Sequence, residues 1–249
     1  MGNLACCYAN ILETAAVSLS QGAADASGNY PLYRLYDRDI GRIFQSASEA
    51  VTEVRADQGP AVINPVDTLF IPDGHNLQGL TLLLEYSDDD VTYTSAASWT
   101  QPDGNLIIQT FTAQTHRYWR LNISGATIAA QIAELFLTST YTWERNPQNP
   151  GGPLEDLFNV QAETSAYGRD RFLIHGPSKR QRVYKEALAS ETQKASISAL
   201  NDAWQAAKPF WLCDQDGIWI YGKLRKPLNL KKDGYGRYSF TFDFLEVIG

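Results

Sequence analysis

The stretch THRYWRLNISG, residues 115–125, decides how the first half of the chain is read. It alternates as a strand does, with Arg117 and Arg120 set among Tyr118, Trp119 and Leu121. A strand sends successive side chains to opposite faces. Two readings follow. In one, this is a core strand whose arginines hold neighbouring strands. In the other, the arginines belong to a site that grips a ligand.

Working outward, the same character recurs. TLFI (68–71), LTLLLEYS (80–87), LIIQTF (106–111), RYWRLNI (117–123) and IAELFLTS (132–139) are short strand-like runs. Turn chemistry separates them at Pro72-Asp73-Gly74, Asp88-Asp89-Asp90, Pro102-Asp103-Gly104 and Ser124-Gly125. Strands at this spacing without a strong helix between them predict an antiparallel sandwich or jelly roll.

The rest of the chain has a different surface. Residues 1–154 hold 7 Lys+Arg against 16 Asp+Glu, and residues 155–249 hold 14 against 12. All eight lysines lie at or after Lys179. That step predicts two domains. RNPQNPGGP (145–153), with three prolines and two glycines, reads as the linker. The expected division is therefore 1–144, a linker at 145–155, and 156–249. Neither half is basic enough for phosphate-driven nucleic-acid binding. No apolar run reaches the length of a membrane span.

The opening MGNLACCYAN places Gly2 ahead of Cys6 and Cys7, but Cys6 stands where a myristoylation pattern wants Ser or Thr. No basic and then apolar leader follows. The expectation is the plain start of a protein made in the cytoplasm. Cys6, Cys7 and Cys213 are too few for a disulfide framework.

After the linker, DRFLIHG (170–176) and RQRVYKEA (180–187) read as strands around a turn at Gly176-Pro177. One helix follows. Ser190 and Gln193 form a capping box, Ile197, Leu200, Ala203, Trp204 and Ala207 share a face, and Lys208-Pro209 ends it. PFWLC, the turn Asp214-Gln215-Asp216-Gly217, and IWIYGKL make a hairpin. In RYSFTFDFLEV (237–247), Tyr238, Phe240, Phe242 and Phe244 fall on one face. The prediction is an antiparallel sheet with its aromatic face on a single amphipathic helix, an α+β arrangement.

Chemistry-bearing patterns are sparse. His75, His116 and His175 lack metal-ligand spacing and read as surface residues near turns. There is no G-x-S-x-G elbow, C-x-x-C pair or phosphate-binding glycine loop. DQDG (214–217) resembles part of a calcium loop, but Lys223 stands where the closing Glu is required. SDDD (87–90) offers oxygen ligands for a hard cation such as structural calcium, with a solvated turn as the plainer reading. Asn122-Ile123-Ser124 is a formal glycosylation sequon. Asp37 and Asp39 form a carboxylate pair of a kind that occurs in any chain of this length. No catalytic constellation emerges, and the expectation is a protein that is not an enzyme and needs no cofactor.

From about Ala15 to Ser139 the chain resembles a discoidin, or coagulation-factor type C, domain with a galactose-binding-like jelly roll. The pieces occur in the family's order: YPLYRLYDRDIGRIFQS with its Leu-x-Asp, LTLLLEYSDDDVTYTSAASW, THRYWRLNISG and IAELFL. The chain departs from the family at Asp89, where Gly is usual, and at Trp119, where a β-branched residue is usual. It also lacks the cysteine pair of secreted members. The resemblance implies that Arg117 or Arg120 is structural and pairs with an acid near the domain's start, Asp37 or Asp39. It also implies that ligands meet variable loops at one end. Aromatic residues suit sugar faces, so Tyr30, His75 and Trp99 are the candidates.

Residues 160–249 resemble the β-sandwich-plus-helix domain of bacteriophage distal-tail and baseplate-hub proteins, carried by KPFWLCDQDGIWIYGKL and FTFDFLEV. That resemblance implies a ring of copies joined to tail-tube or hub proteins. It also implies location in the virion tail, with the first domain contacting tail neighbours or host glycans. The polar segment 222–238 is then a loop that reaches a neighbour or a solvated hairpin. A stand-alone glycan-binding accessory protein is the alternative, and a glycan hydrolase ranks below it.

Overall fold

The computed structural model describes the chain except residues 1–2, 48–50, 145, 147–154, 158–159, 165–169, 175–178, 192, 206, 229, 233 and 248–249. It is mainly antiparallel β, with one α-helix. It divides into two compact units: Ala9–Thr140, and Met1–Tyr8 together with Tyr141–Ile248.

Strand β1 (Ala5–Cys7) opens the chain. The unit Ala9–Thr140 then carries β2 (Ala16–Gln21), β3 (Phe44–Gln45), β4 (Thr52–Asp57), β5 (Val66–Ile71), β6 (Thr81–Ser87), β7 (Thr94–Thr100), β8 (Ile107–Gln114), β9 (Tyr118–Ser124), β10 (Gln131–Ile132) and β11 (Phe136–Thr138). A five-stranded sheet in the order β2-β4-β9-β6-β7 faces a three-stranded sheet, β11-β5-β8, with β10 and β3 paired beside them. This is the expected sandwich. β9 is its central strand. Trp119, Leu121 and Ile123 are buried in the core, and the alternate Arg120 and Asn122 are half-buried. Trp119 satisfies its indole N–H on the His116 carbonyl at 3.1 Å, so this large ring is buried without an orphaned donor.

The run 132–139 is two strands rather than one. Glu134 interrupts it between β10 and β11 and is itself buried. Its carboxylate accepts the Arg38 backbone N–H at 2.9 Å and the Asn10 amide N–H at 3.3 Å.

The second unit holds β1 and β12 (Tyr141–Thr142), β13 (Glu155–Leu157), β14 (Val160–Thr164), β15 (Asp170–Ile174), β16 (Lys179–Ser190), helix α1 (Lys194–Gln205), β17 (Phe210–Cys213), β18 (Trp219–Leu224), β19 (Lys231–Lys232) and β20 (Arg237–Glu246). Its main sheet runs β12-β1-β17-β18-β20-β16-β13, with β19 on β20, and β14 pairs with β15 apart from it. Ile197 and Leu200 of α1 pack with Tyr184, Phe210, Leu212, Ile220, Tyr238, Phe240 and Phe244. The aromatic alternation of the last strand thus does what its sequence predicts. Ser190 accepts from the Gln193 N–H at 3.3 Å, as a cap does. Ala207, expected on the buried face, is exposed at φ 52° beyond the end of the helix. The side chains of Ala203, Trp204 and Phe242 lie outside the described residues, as do the Gly176-Pro177 turn, His175 and most of the proposed linker.

The division differs from the one expected at 144. Residues 1–8 join the second unit because β1 pairs with both β12 and β17, and Leu4 and Cys6 enter that unit's core. Sequence proximity favoured the first domain, whereas strand pairing and burial favour the second. The sandwich is therefore an insertion between two adjacent strands of one sheet, with β1 and β12 paired Ala5 to Thr142.

Candidate functional site

Arg120 on β9 and Arg117 just before it belong to an interlocked set of charges with the flanking strands. Arg117 grips Asp57 with two bonds, Nε to Oδ1 at 2.7 Å and Nη2 to Oδ2 at 2.9 Å. Arg120 bonds Glu85 on β6 at 2.6 Å and lies 3.5 Å from Glu53 on β4. Arg55, beside Arg120 in the ladder, grips Asp90 at 2.6 Å through both nitrogens. The Arg55 and Arg117 guanidinium groups sit 5.0 and 4.6 Å from the Tyr118 ring centre, and Arg120 sits 3.8 Å from that of Tyr93. Each arginine meets a carboxylate and an aromatic face, which is what guanidinium geometry favours.

The electrostatics agree with that geometry. The bond from Arg117 holds the Asp57 carboxyl below its ordinary value. Burial, and then its bond to Asp90, push the Tyr93 phenol up to about 12. Both arginines are engaged by carboxylates of the strands that flank β9.

Their partners are not Asp37 and Asp39. β9 lies between β4 and β6, so the acids within reach are those of the flanking strands, Glu53, Asp57 and Glu85. Asp37 instead accepts the Asp39 N–H at 3.0 Å, and Asp39 accepts the Gly41 N–H and pairs with Arg42 at 3.0 Å. The residue between them was missed. Arg38 is buried at φ 64°, pairs with Glu13, and covers the Phe136 ring at 4.7 Å. Its backbone N–H donates to Glu134 at 2.9 Å, and Asn10 donates to the same carboxylate at 3.3 Å. Burial drives the Glu134 carboxyl well above its ordinary value. A lone Glu inside the apolar run IAELFL was the available signal.

The SDDD turn is held by its own backbone. Asp89 accepts from Ser87, Val91 and Thr92, and these bonds bring its carboxyl down to about 2. Asp88 Oδ2 lies 3.0 Å from His116 Nδ1 without hydrogen-bond geometry, and Asp90 pairs with Arg55. The three carboxylates face different neighbours. Among the described residues no group of three His, Cys, Asp or Glu is placed to hold a metal ion.

The other end of the sandwich is built from loops laced together. Asn76 donates to the Ala129 carbonyl and accepts the Gln131 N–H, both at 2.7 Å. Ser46 and Ala130 exchange two bonds at 2.9 Å, and Ala24 bridges to Ser46. His75 belongs to this frame. It is buried; its Nδ1 accepts the Leu77 N–H at 3.2 Å, so its Nε2 donates to the Asn105 carbonyl at 2.9 Å. The expected surface histidine is thus a loop brace, because its ring joins the β5–β6 and β7–β8 connections. Tyr30, half-buried on the β2–β3 connection, keeps a partly open ring. Trp99, half-buried on edge strand β7, packs its ring on the core and has an indole N–H with no partner among the described residues. Tyr33 and Ile128, not singled out from sequence, are about half exposed on connections of the same unit.

No family model matches the chain, and no curated protein matches it. Among solved structures, it is similar to chitosan-binding module 1 of a chitosanase/glucanase from Paenibacillus sp. IK-5, with 16% identity, 56% of this chain and 100% of that one covered, and a TM-score of 0.45. It is similar to a pectin-binding carbohydrate-binding module, with 19% identity, 50% and 89% covered, and a TM-score of 0.40. A Clostridium perfringens protein solved with GalNAc-β-1,3-galactose gives 13% identity, 53% and 100% covered, and a TM-score of 0.44. With TM-scores below 0.5, none of these likenesses decides a function for this chain.

Proposed function

We propose that the chain is a non-catalytic structural subunit of a bacteriophage tail tip or baseplate. The sheet unit assembles with copies of itself into a ring and contacts tail-tube or hub proteins. The sandwich is carried as a peripheral binding unit for tail neighbours or host-surface glycans. One observation carries this reading. The sandwich is inserted between β1 and β12, adjacent strands of the sheet unit, so the sheet unit is the body and the sandwich its addition. The candidates for the glycan half are Tyr30, half-buried on the β2–β3 connection, and Trp99, half-buried on edge strand β7. Many weak sites on one particle raise avidity without new contacts.

The test pairs sedimentation velocity with a glycan array on the full chain. Ring-sized oligomers and glycan binding weakened by Tyr30→Ala or Trp99→Ala are expected. A monomer that binds glycans points to the accessory lectin-like alternative. Release of sugars from the array, lost in Asp37→Asn, overturns the non-catalytic reading.

A further inference from the structure

The segment between β18 and β20 is a strap tied to its own unit at several points, and its basic side chains stay exposed: Arg225 donates its backbone N–H to the Asp243 carbonyl at 2.9 Å, Leu230 packs on the core, and Lys231 and Lys232 pair with β20. Asn201 of α1 accepts the Leu228 N–H at 2.6 Å and donates to its carbonyl at 3.0 Å, and Leu228 is buried. Beyond this tether the chain pairs briefly as β19 and turns at Gly234 and Gly236, with φ 118° and 67°. Tyr235 between them is fully exposed, at 102% of its reference area. A whole aromatic ring left in water, on a backbone held by its neighbours, has the form of an interface anchor.

Its charge is one-sided. Residues 223–237 hold six Lys or Arg and one Asp, in a chain whose formal net charge is −7. Arg225 is partly answered by Gln181 at 2.8 Å and Asp243 at 3.8 Å, and Lys232 lies within the field of Glu191. Lys223, Lys226, Lys231 and Arg237 are exposed, with no carboxylate within 4 Å among the described residues. The opposite charge lies in the same chain: residues 9–140 hold six arginines, no lysine and fifteen carboxylates. Arg55, Arg117 and Arg120 are already paired to their own acids, while Asp73 and Asp88 face water.

We propose that the basic strap 223–237, led by Tyr235, is a docking surface for the acidic sandwich unit of a second copy of this chain. The proposal rests on the assembly reading above and names the contact that reading lacks. Complementary charge steers encounter and sets register, and the aromatic tip adds the apolar contact.

The full chain is examined by sedimentation velocity from about 0.05 to about 0.5 M NaCl, where screening of exposed charges tightens. An equal mixture of unlabelled and 15N-labelled chain is also joined by a carbodiimide, which links a lysine amine to a touching carboxylate. Self-association weakened roughly tenfold or more by salt, and by Lys226→Glu/Lys231→Glu or Tyr235→Ser, is expected. Mixed-isotope crosslinks should run from Lys226, Lys231 or Lys232 to carboxylates of residues 9–140. Both variants keep the buried Leu228 tether, and an unchanged melting temperature shows that they fold. If rings form but these variants leave them intact, the strap proposal fails and the assembly reading stands. If the wild type never associates, both fail. Binding of the strap to anionic vesicles or DNA in place of a second copy also overturns the proposal.

Discussion

Arg120 on β9 closes on Glu85 of β6 at 2.6 Å while its guanidinium covers the Tyr93 ring at 3.8 Å. The two side chains are only 27% and 11% exposed, so water screens the pair less than it would on an open surface. A double-mutant cycle with Arg120→Ala and Glu85→Ala is expected to give a coupling of about 1–2 kcal/mol. Zero coupling by denaturant titration would remove the structural role assigned to the arginine.

Asn10 is buried and makes four bonds. Its Oδ1 accepts the Leu12 and Leu137 N–H groups, and its Nδ2 donates to Glu134 and the Leu135 carbonyl. Asn10→Ala leaves those partners unsatisfied in a dry site, at an expected cost of about 2–4 kcal/mol. Asn64→Ala, on an exposed loop, is the control and should cost roughly 0.5 kcal/mol or less.

Glu134 gives a pH dependence of definite sign. Burial raises its carboxyl in the folded state, so the folded chain keeps a proton that the unfolded chain has released. Its contribution is fully present below the unfolded value, about 4.3, and is lost as pH rises through the folded value. Melting curves between pH 4 and 8 should show wild type losing stability relative to Glu134→Gln as pH rises. Parallel curves would contradict the buried carboxyl.

Gly222 is required by contact. A Cβ there would stand 2.4 Å from the Leu245 carbonyl oxygen and 2.7 Å from the Phe244 ring. Gly222→Ala must move β20 backbone, and is expected to cost about 2–3 kcal/mol. Gly217→Ala meets no atom within 4 Å, but its φ of 81° costs roughly 1 kcal/mol. Equal melting temperatures for the two variants would contradict this ordering.

His75 and Trp99 should separate by phenotype. His75→Ala removes a brace between two loops and lowers stability by about 1–2 kcal/mol. Trp99→Ala on the edge strand should cost glycan binding more than its stability loss explains. Thermal melts beside the array distinguish the two, and identical profiles would place both residues in the frame.

Much of the fold was legible because period and turn chemistry agree along the chain. The inward alternation of Trp119, Leu121 and Ile123 and of Tyr238, Phe240 and Phe244 follows from local sequence alone. The membership of β1 did not, because Leu4 and Cys6 are assigned by strands more than a hundred residues away. The partners of Arg117 and Arg120 were illegible for the same reason: strand order chooses among fifteen carboxylates, and order is a property of pairing. The burial of Arg38 was not legible because it stands between Asp37 and Asp39 in a polar run, while its partners Glu13 and Glu134 are distant in the chain.

The most direct test of the account is the solution mass of the purified full chain with negative-stain images of the same sample. The account predicts closed rings of several copies. A single mass equal to one chain at every concentration and salt, with isolated particles in the images, would contradict it.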